Sequence, residues 1–388
     1  MTARERFLAV MRFDPGARSP KAEFGYWTTT IKRFIREGMP VVEPLPENLP
    51  DNGTITGAEA VGSGSTVIPD RNVRACLGLD PYPAKFPIDM SPQLPEKVLE
   101  ETEEYKVYID RYGITMKAYK KGTSTPLNLA FPIRNRADFE RYKERYTSDF
   151  SRRLPGNWTE LKRELRARSF PIRLGGHPFG FFGFPRHLIG SHGLMLLMYD
   201  DPRLIKDMNE FFLGFAMEYW ARIIPEIRPD CVLIWEDMAS KTGSMISPAM
   251  FAEFLSPYYR RFIDYFRQFG IQNIHVDSDG YIEELIPLWW DLGVTGVFPI
   301  ERQAGNDPLR IRARFPRLQL LGAMDKRVFQ EKASEADIEN ELLVARSLLA
   351  SGGFLPHADH HVPDDSCWKN FRYYREGLNR LIDESARR

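Results

Sequence analysis

Cysteine is scarce in this chain. Three cysteines (Cys76, Cys231 and Cys367) are scattered over 388 residues without CxxC spacing. A disulfide framework is not expected, and a reducing cytoplasm is the default compartment. A charge excess is also missing: Lys plus Arg and Asp plus Glu are balanced at 53 each. That balance removes the bulk electrostatic case for nucleic acid or an anionic membrane as partner. No apolar run approaches the ~20 residues of a membrane span. The opening residues, from Met1 to Phe7, carry charges where a signal peptide needs an apolar stretch. No internal repeat of fixed period and no low-complexity tract is present.

What the chain does contain is polar residues collected at the ends of short apolar strands. Cys231–Trp235 runs into Glu236 and Asp237. Residues 273–274 run into His275, Asp277 and Asp279. Residues 353–356 run into His357, Asp359, His360 and His361. Of seven histidines in all, four lie in the last two segments. Buried strands ending in carboxylates and imidazoles are how a parallel α/β barrel builds an active site on its C-terminal rim. The pattern points to an enzyme whose site could hold a metal.

Residues 172–361 alternate between strand and helix signals. Strands are expected at 172–177, 231–236, 273–278, 296–300, 318–322 and 353–356. Helices are expected at about 201–227, 247–269, 281–292 and 334–350. Ser247-Pro248 is a helix start, and Gly293 and Gly352 are stop signals. Such alternation predicts a parallel sheet with right-handed crossovers. If eight strands close the barrel, residues 22–27 are the best first strand. Residues 86–89, or a neighbouring segment, would supply the second. Residues 105–120, around Asp110-Arg111-Tyr112-Gly113, read as a β-hairpin outside the barrel. The expected architecture is an (α/β)8 TIM-type barrel with an N-terminal extension and an inserted hairpin. One domain would span 1–388, with irregular and hairpin structure over about 31–150 and regular repeats over about 170–388.

Each candidate residue also has an ordinary structural reading. Asp277 and Asp279 could cap a following helix, and Asp325 ends a strand where Asp is a routine cap. Glu236 follows an apolar strand, so its burial needs a partner. His275 could simply bond the barrel rim, and His361 reads as a surface residue. The loop 175–183, with His177 and Phe179, could line a substrate with aromatic rings or be ordinary packing. Its Phe content argues against a phosphate cradle.

Several stretches resemble the uroporphyrinogen decarboxylase superfamily. These are Arg4-Glu5-Arg6-Phe7-Leu8-Ala9-Val10-Met11-Arg12-Phe13-Asp14-Pro15, then Arg18-Ser19-Pro20, and the turn Leu321-Gly322-Ala323-Met324-Asp325. The turn is similar to that superfamily's Gly-Asn-x-Asp turn. His275-Val276-Asp277 sits where its methyltransferase branch carries His-x-Cys. Residues 357–364 sit where that branch carries a second Cys. The resemblance implies an (α/β)8 barrel and two candidate activities. One is cofactor-free decarboxylation. The other is methyl transfer between a substrate and a corrinoid protein, with zinc activating the nucleophile.

The decarboxylases carry Arg-Gln-Ala-Gly-Arg after the first strand, suited to a substrate with eight carboxylates. Here the matching stretch is residues 22–30, Ala-Glu-Phe-Gly-Tyr-Trp-Thr-Thr-Thr, without either arginine. An acid and aromatics suit a more apolar substrate, with Tyr26 and Trp27 as pocket wall. By the methyltransferase resemblance, Glu236, His275, Asp277 and His360 would be the metal ligands, an N/O set in place of N/S. Zinc is the expected ion, with iron or manganese more plausible than in the family. Glu236, Asp277 and Asp325 are the expected catalytic residues. Tyr26, Trp27, His177, Phe179 and His357 are the expected substrate-binding residues. The expected function is methyl transfer from a small methoxylated or methylamine-like substrate to a corrinoid protein that carries cobalamin. The alternatives are a decarboxylase acting on a tetrapyrrole or another carboxylate, and a binding protein that has lost the chemistry. Barrels of this superfamily include dimers, so a homodimer is a further expectation.

Overall fold

The computed structural model describes residues 1–47, 49–62, 67–87, 89–146 and 149–385. Seven parallel strands form one sheet. In chain order they are Ala84–Lys85, Ile172–Gly175, Cys231–Trp235, Ile274–Asp277, Gly296–Phe298, Gln319–Met324 and Phe354–Ala358. Neighbours in the sheet follow chain order, as a singly wound barrel requires. The six regular strands lie where the sequence puts them. The second strand falls at Ala84–Lys85 and continues through a bond from Phe86 N–H to Arg173 O. Of the expected 86–89 segment, Ile88 lies outside the described residues.

Gly25–Trp27 fills the eighth position. On one side it meets Val362 through bonds from Trp27 N–H to Val362 O and from Val362 N–H to Gly25 O. On the other side it pairs antiparallel with Thr54–Thr56, and Gly57 O then accepts from Tyr82 N–H. The closing seam is therefore built partly from an inserted strand. Helices cover the outside. The longest, Pro202–Ile227, starts with Asp201 accepting from Leu204 N–H and ends at Arg228 in the left-handed region. Its Phe212 and Trp220 pack with Phe179, and Trp220 and Phe179 also meet Phe262 of the helix Ser256–Gln268. Each such ring buried from water is worth roughly 1.5–3 kcal/mol.

Two helical expectations need correction. The 247–269 segment is two helices, Pro248–Phe254 and Ser256–Gln268, broken at Leu255 just before Pro257. Proline cannot supply the N–H that a continuous helix would need. The 281–292 helix is shorter, Ile286–Leu292, because residues 280–285 instead bond to neighbouring loops: Tyr281 N–H to Ser240 O and Ile282 N–H to Asn306.

The expected hairpin is the middle of a larger antiparallel sheet: Lys97–Glu101, Tyr105–Ile109, Thr115–Tyr119 and Leu127–Ala130. Asp110 shapes its turn by accepting from Tyr112 and Ile114 N–H. The sheet is tied to the barrel rim. Phe131 packs so closely over Gly190 that a Cβ there would lie 2.5 Å from its ring. Thr123 bonds Thr29 and Asp364, and Asn52 bonds Tyr119 O. Among the described residues, no helix is long and apolar enough to cross a membrane.

Candidate active site at the barrel mouth

Side chains alternate along each barrel strand, so every second one points inward. Cys231, Arg173 and His275 are inward and low, near the N-terminal floor. Asp277, two residues beyond His275, is inward and at the rim. His275 is buried and shares a 2.7 Å hydrogen bond with Gln319. Gln319 in turn donates to Met11 O, in the N-terminal helix, and to Asn273. Burial drives the His275 pKa down to about 4, with nearby Arg173 adding to the effect. His275 thus lies on the barrel floor as a neutral hydrogen-bonding residue.

Glu236 is fully buried. Its Oε1 accepts from Phe181 N–H (3.0 Å) and Tyr259 OH (2.6 Å), and its Oε2 from Phe182 N–H (2.7 Å) and Gly183 N–H (2.8 Å). The Gly/Phe loop wraps onto this carboxylate. Glycine is needed because a Cβ at 180 would lie 1.9 Å from Trp235 O and 2.7 Å from Glu236 Oε2. Burial raises the Glu236 pKa and the four donors oppose that rise. The side chain secures the loop and keeps no oxygen free for a metal or substrate.

These positions correct the expected ligand set. Glu236, His275, Asp277 and His360 do not converge: one is sealed in the loop, one is on the floor, and two face the mouth. Among the described residues, no three His, Cys, Asp or Glu side chains are grouped so as to hold a metal ion. The residues expected to hold zinc therefore do not fit it.

Four further assignments change. Asp325 caps the turn Lys326–Phe329 and accepts from the Arg327 backbone N–H (2.9 Å) and from its guanidinium. Burial pushes its pKa up, but the bonds from Arg327 prevail and hold it below the usual range. It is a structural cap. Tyr26 points outward into the core, where its ring meets Phe371 at 5.7 Å and its hydroxyl lies beside Asp70. Phe179 is buried among Phe181, Phe212, Trp220 and Phe262. Neither lines the mouth. Trp27 does approach it, with its ring 5.9 Å from His361. His361 is no free surface residue, since it packs at 4.4 Å on Phe24.

The mouth itself centres on Asp277. No hydrogen bond from the described residues reaches its carboxyl. Burial pushes its pKa well above the usual carboxylate range, and Asp279 and Asp237 add to the push. Arg173 and Lys85 oppose it. Beside it, Lys85 is exposed at the mouth and donates to His177 O at 2.8 Å. Desolvation by the protein around it, then Arg173, brings its ammonium down to about 8. Asp237, in the left-handed region at φ 49°, accepts from Arg186 (2.9 Å) and from Asp279 N–H (3.2 Å). Asp279 lies 3.8 Å from His360 Nε2 and is raised to about 8, first by burial and then by Asp237 and Glu301. Glu301 accepts from Gly280 N–H and from Lys326. His177 stands at the outer edge with its ring 4.5 Å from Trp235.

Below this polar ring the barrel is aromatic. His357 lies against Tyr82 (5.2 Å), Phe298 (5.7 Å) and Phe24 (6.1 Å). Its Nδ1 bonds Ala358 O, while Nε2 is buried without a partner among the described residues. Burial lowers its pKa to about 3, so it is neutral at any ordinary pH. The arrangement can present one uncharged carboxylic acid, flanked by cations, to a small molecule resting on aromatic rings.

Lys85, Arg173, Tyr82 and Phe24 escaped the sequence reading. The signal for Arg173 was present: it is a lone charge in the inward register of the apolar strand Ile172–Gly175. Lys85, between Ala84 and Phe86, carries the same signature.

Comparison with solved structures returns a methyltransferase from Methanosarcina mazei, 15% identical, with a TM-score of 0.55 and 99% of each chain covered. A B12-independent methionine synthase from Shewanella sp. W3-18-1, in complex with selenomethionine, is 12% identical, with a TM-score of 0.40 over 77% of this chain and 75% of that one. No curated protein matches the sequence. The family model for uroporphyrinogen decarboxylase (URO-D) matches residues 109–362, from the inserted sheet to the seam at Val362. With that match over most of its length and a barrel of this form, the chain belongs to the uroporphyrinogen decarboxylase family.

Proposed function

We propose that this protein is a methyltransferase that removes a methyl group from a small substrate held in the barrel mouth and passes it to a corrinoid partner protein. The single observation behind this reading is Asp277: an inward, rim-level carboxyl with no hydrogen-bond partner among the described residues, its pKa pushed well up by burial. A neutral acid in that place can protonate the departing oxygen, nitrogen or sulfur as its bond to the methyl carbon breaks. A corrinoid carried by the partner would supply the nucleophile and accept the methyl. The heteroatom keeps the bonding electron pair and takes the Asp277 proton. Arg173 and Lys85 then stabilise the carboxylate left behind, and the Phe24, Tyr82 and Phe298 rings favour an apolar substrate body over a poly-anionic one.

The experiment supplies reduced cobalamin and methoxylated or methylated-amine donors to the purified protein, and follows methylcobalamin by absorbance. Turnover that depends on Asp277 supports the reading. Absence of methylcobalamin with every donor, together with conversion of uroporphyrinogen to coproporphyrinogen, would overturn it.

Decarboxylation is the second reading, favoured by the cations beside Asp277. Lys85 and Arg173 could hold a substrate carboxylate while Asp277 protonates the carbon that loses carbon dioxide. The uroporphyrinogen arm of the same experiment separates the two.

A further inference from the structure

Two cations meet at the barrel mouth without an ion-pair partner. Lys85 and Arg173 are Cα partners on neighbouring parallel strands. Both side chains point inward and end near the first residues of the loop after the strand Ile172–Gly175. Lys85 Nζ donates to His177 O at 2.8 Å. Arg173 Nη1 lies against Gly176, where a Cβ would come within 2.6 Å of it. Among the described residues, Lys85 forms no ion pair and the Arg173 guanidinium has no hydrogen-bond partner.

Lys85 is exposed at the mouth, so a small molecule can reach its amine. The charged groups that face it are Arg173, which disfavours the ammonium, and Asp277, which favours it. A lysine set beside a second cation keeps more of its amine neutral, and the neutral amine is a nucleophile. Desolvation, then Arg173, bring Lys85 to about 8, so half of it is neutral at that pH. For an ordinary lysine of pKa about 10.4 the neutral share there is about 0.4%.

The neighbours select what the amine meets. A neutral amine adds to a carbonyl carbon. The free guanidinium of Arg173 suits a carboxylate, which it holds through two parallel N–H bonds. A carbonyl next to a carboxylate is a 2-oxo acid. Asp277 has the proton that a departing carbonyl oxygen needs.

We propose that Lys85 is a nucleophilic amine that forms an imine with a short 2-oxo acid in the barrel mouth, with Arg173 pairing the carboxylate and Asp277 protonating the oxygen that leaves. The Lys85 nitrogen bonds to the carbonyl carbon, and the carbonyl oxygen takes the Asp277 proton. The nitrogen, now positive, returns a proton to Asp277. The new hydroxyl takes that proton and leaves as water while the nitrogen lone pair closes the C=N bond. The products are one water, a protonated imine on Lys85 and the Asp277 carboxylate. The step needs neither a methyl donor nor a corrinoid, so it stands apart from the methyl-transfer reading.

Pyruvate is the probe. The full chain is incubated at about pH 7.5 with pyruvate and sodium cyanoborohydride, which reduces an imine to a stable amine, and peptide mass spectrometry locates the modified lysines. Lys85 should be labelled about ten-fold or more faster than any other lysine. Acetone, which lacks the carboxylate, should label Lys85 about ten-fold or more slowly than pyruvate, once both rates are scaled to those with Nα-acetyl-lysine. Asp277→Asn should slow the Lys85 adduct by about ten-fold or more, although removing that charge leaves more of the amine neutral. Near-ultraviolet circular dichroism reports whether the variant folds, and the wild-type comparisons stand without it. Labelling of Lys85 no faster than of other lysines, or no scaled preference for pyruvate, overturns the proposal. A folded Asp277→Asn protein that forms the adduct at the wild-type rate overturns the role given to Asp277. A fast, pyruvate-selective Lys85 adduct in a protein that transfers no methyl sustains the imine and overturns only the methyl-transfer reading.

Discussion

Tyr259 OH donates to Glu236 Oε1 at 2.6 Å, inside a carboxylate that also takes three backbone N–H groups. The relationship turns a residue at a strand end, where a ligand was expected, into the clamp of the 178–183 loop. Glu236→Ala strips four donors of their acceptor in a buried site. The expected cost is about 3–5 kcal/mol of stability, read by urea unfolding. Unchanged stability with lost activity would make Glu236 a reacting group instead.

His275 gives a second contrast. As a floor residue bonded to Gln319, His275→Ala should lower stability by roughly 1–3 kcal/mol and leave the KM of the methyl donor nearly unchanged. A large fall in turnover at intact stability would return His275 to the reacting centre.

The barrel was legible because its signals are local and repeated: short apolar strands, capping residues such as Ser334, and stop glycines. The site was less legible. Inward and outward positions alternate residue by residue, so Tyr26 and Trp27 diverge although adjacent. Glu236 and Asp277 both end strands, and only the folded loop 178–183 decides that one is saturated and the other free. Asp325 follows the same rule, since Arg327, two residues on, takes its oxygens. The packing of the inserted sheet on the rim, through Phe131 over Gly190 and Thr123 on Thr29, is likewise encoded by no spacing in the sequence.

The pH dependence of stability follows from groups of opposite sign. His187, His275, His357 and His361 have pKa values lowered to about 4, 4, 3 and 3, each chiefly by burial. Their contribution is present above the unfolded value of about 6.5 and is lost as pH falls below it. Glu23, Asp70 and Asp359 are raised to about 7 and Asp279 to about 8, again chiefly by burial. Their contribution is full below the unfolded value of about 4 and is lost as pH rises through 7 to 8. Between pH 7 and 8 these four carboxylates outweigh Lys85, whose ammonium, lowered to about 8, acts in the opposite sense, so the melting temperature should fall across that interval. Asp279→Asn should flatten the upper part of the fall. A melting temperature that rises over this interval would refute the assignment.

The most direct test of the account is the pH–rate profile of methyl transfer for the wild type and Asp277→Asn. Because the protonated carboxyl is the donor, wild-type kcat should fall as pH rises through the raised pKa of Asp277. The amide cannot release a proton of that acidity, so the variant should lose about 10²-fold or more in kcat and lose that alkaline limb, with KM little changed. A variant that retains wild-type kcat and the same alkaline limb would contradict the claim that Asp277 is the acid of the reaction.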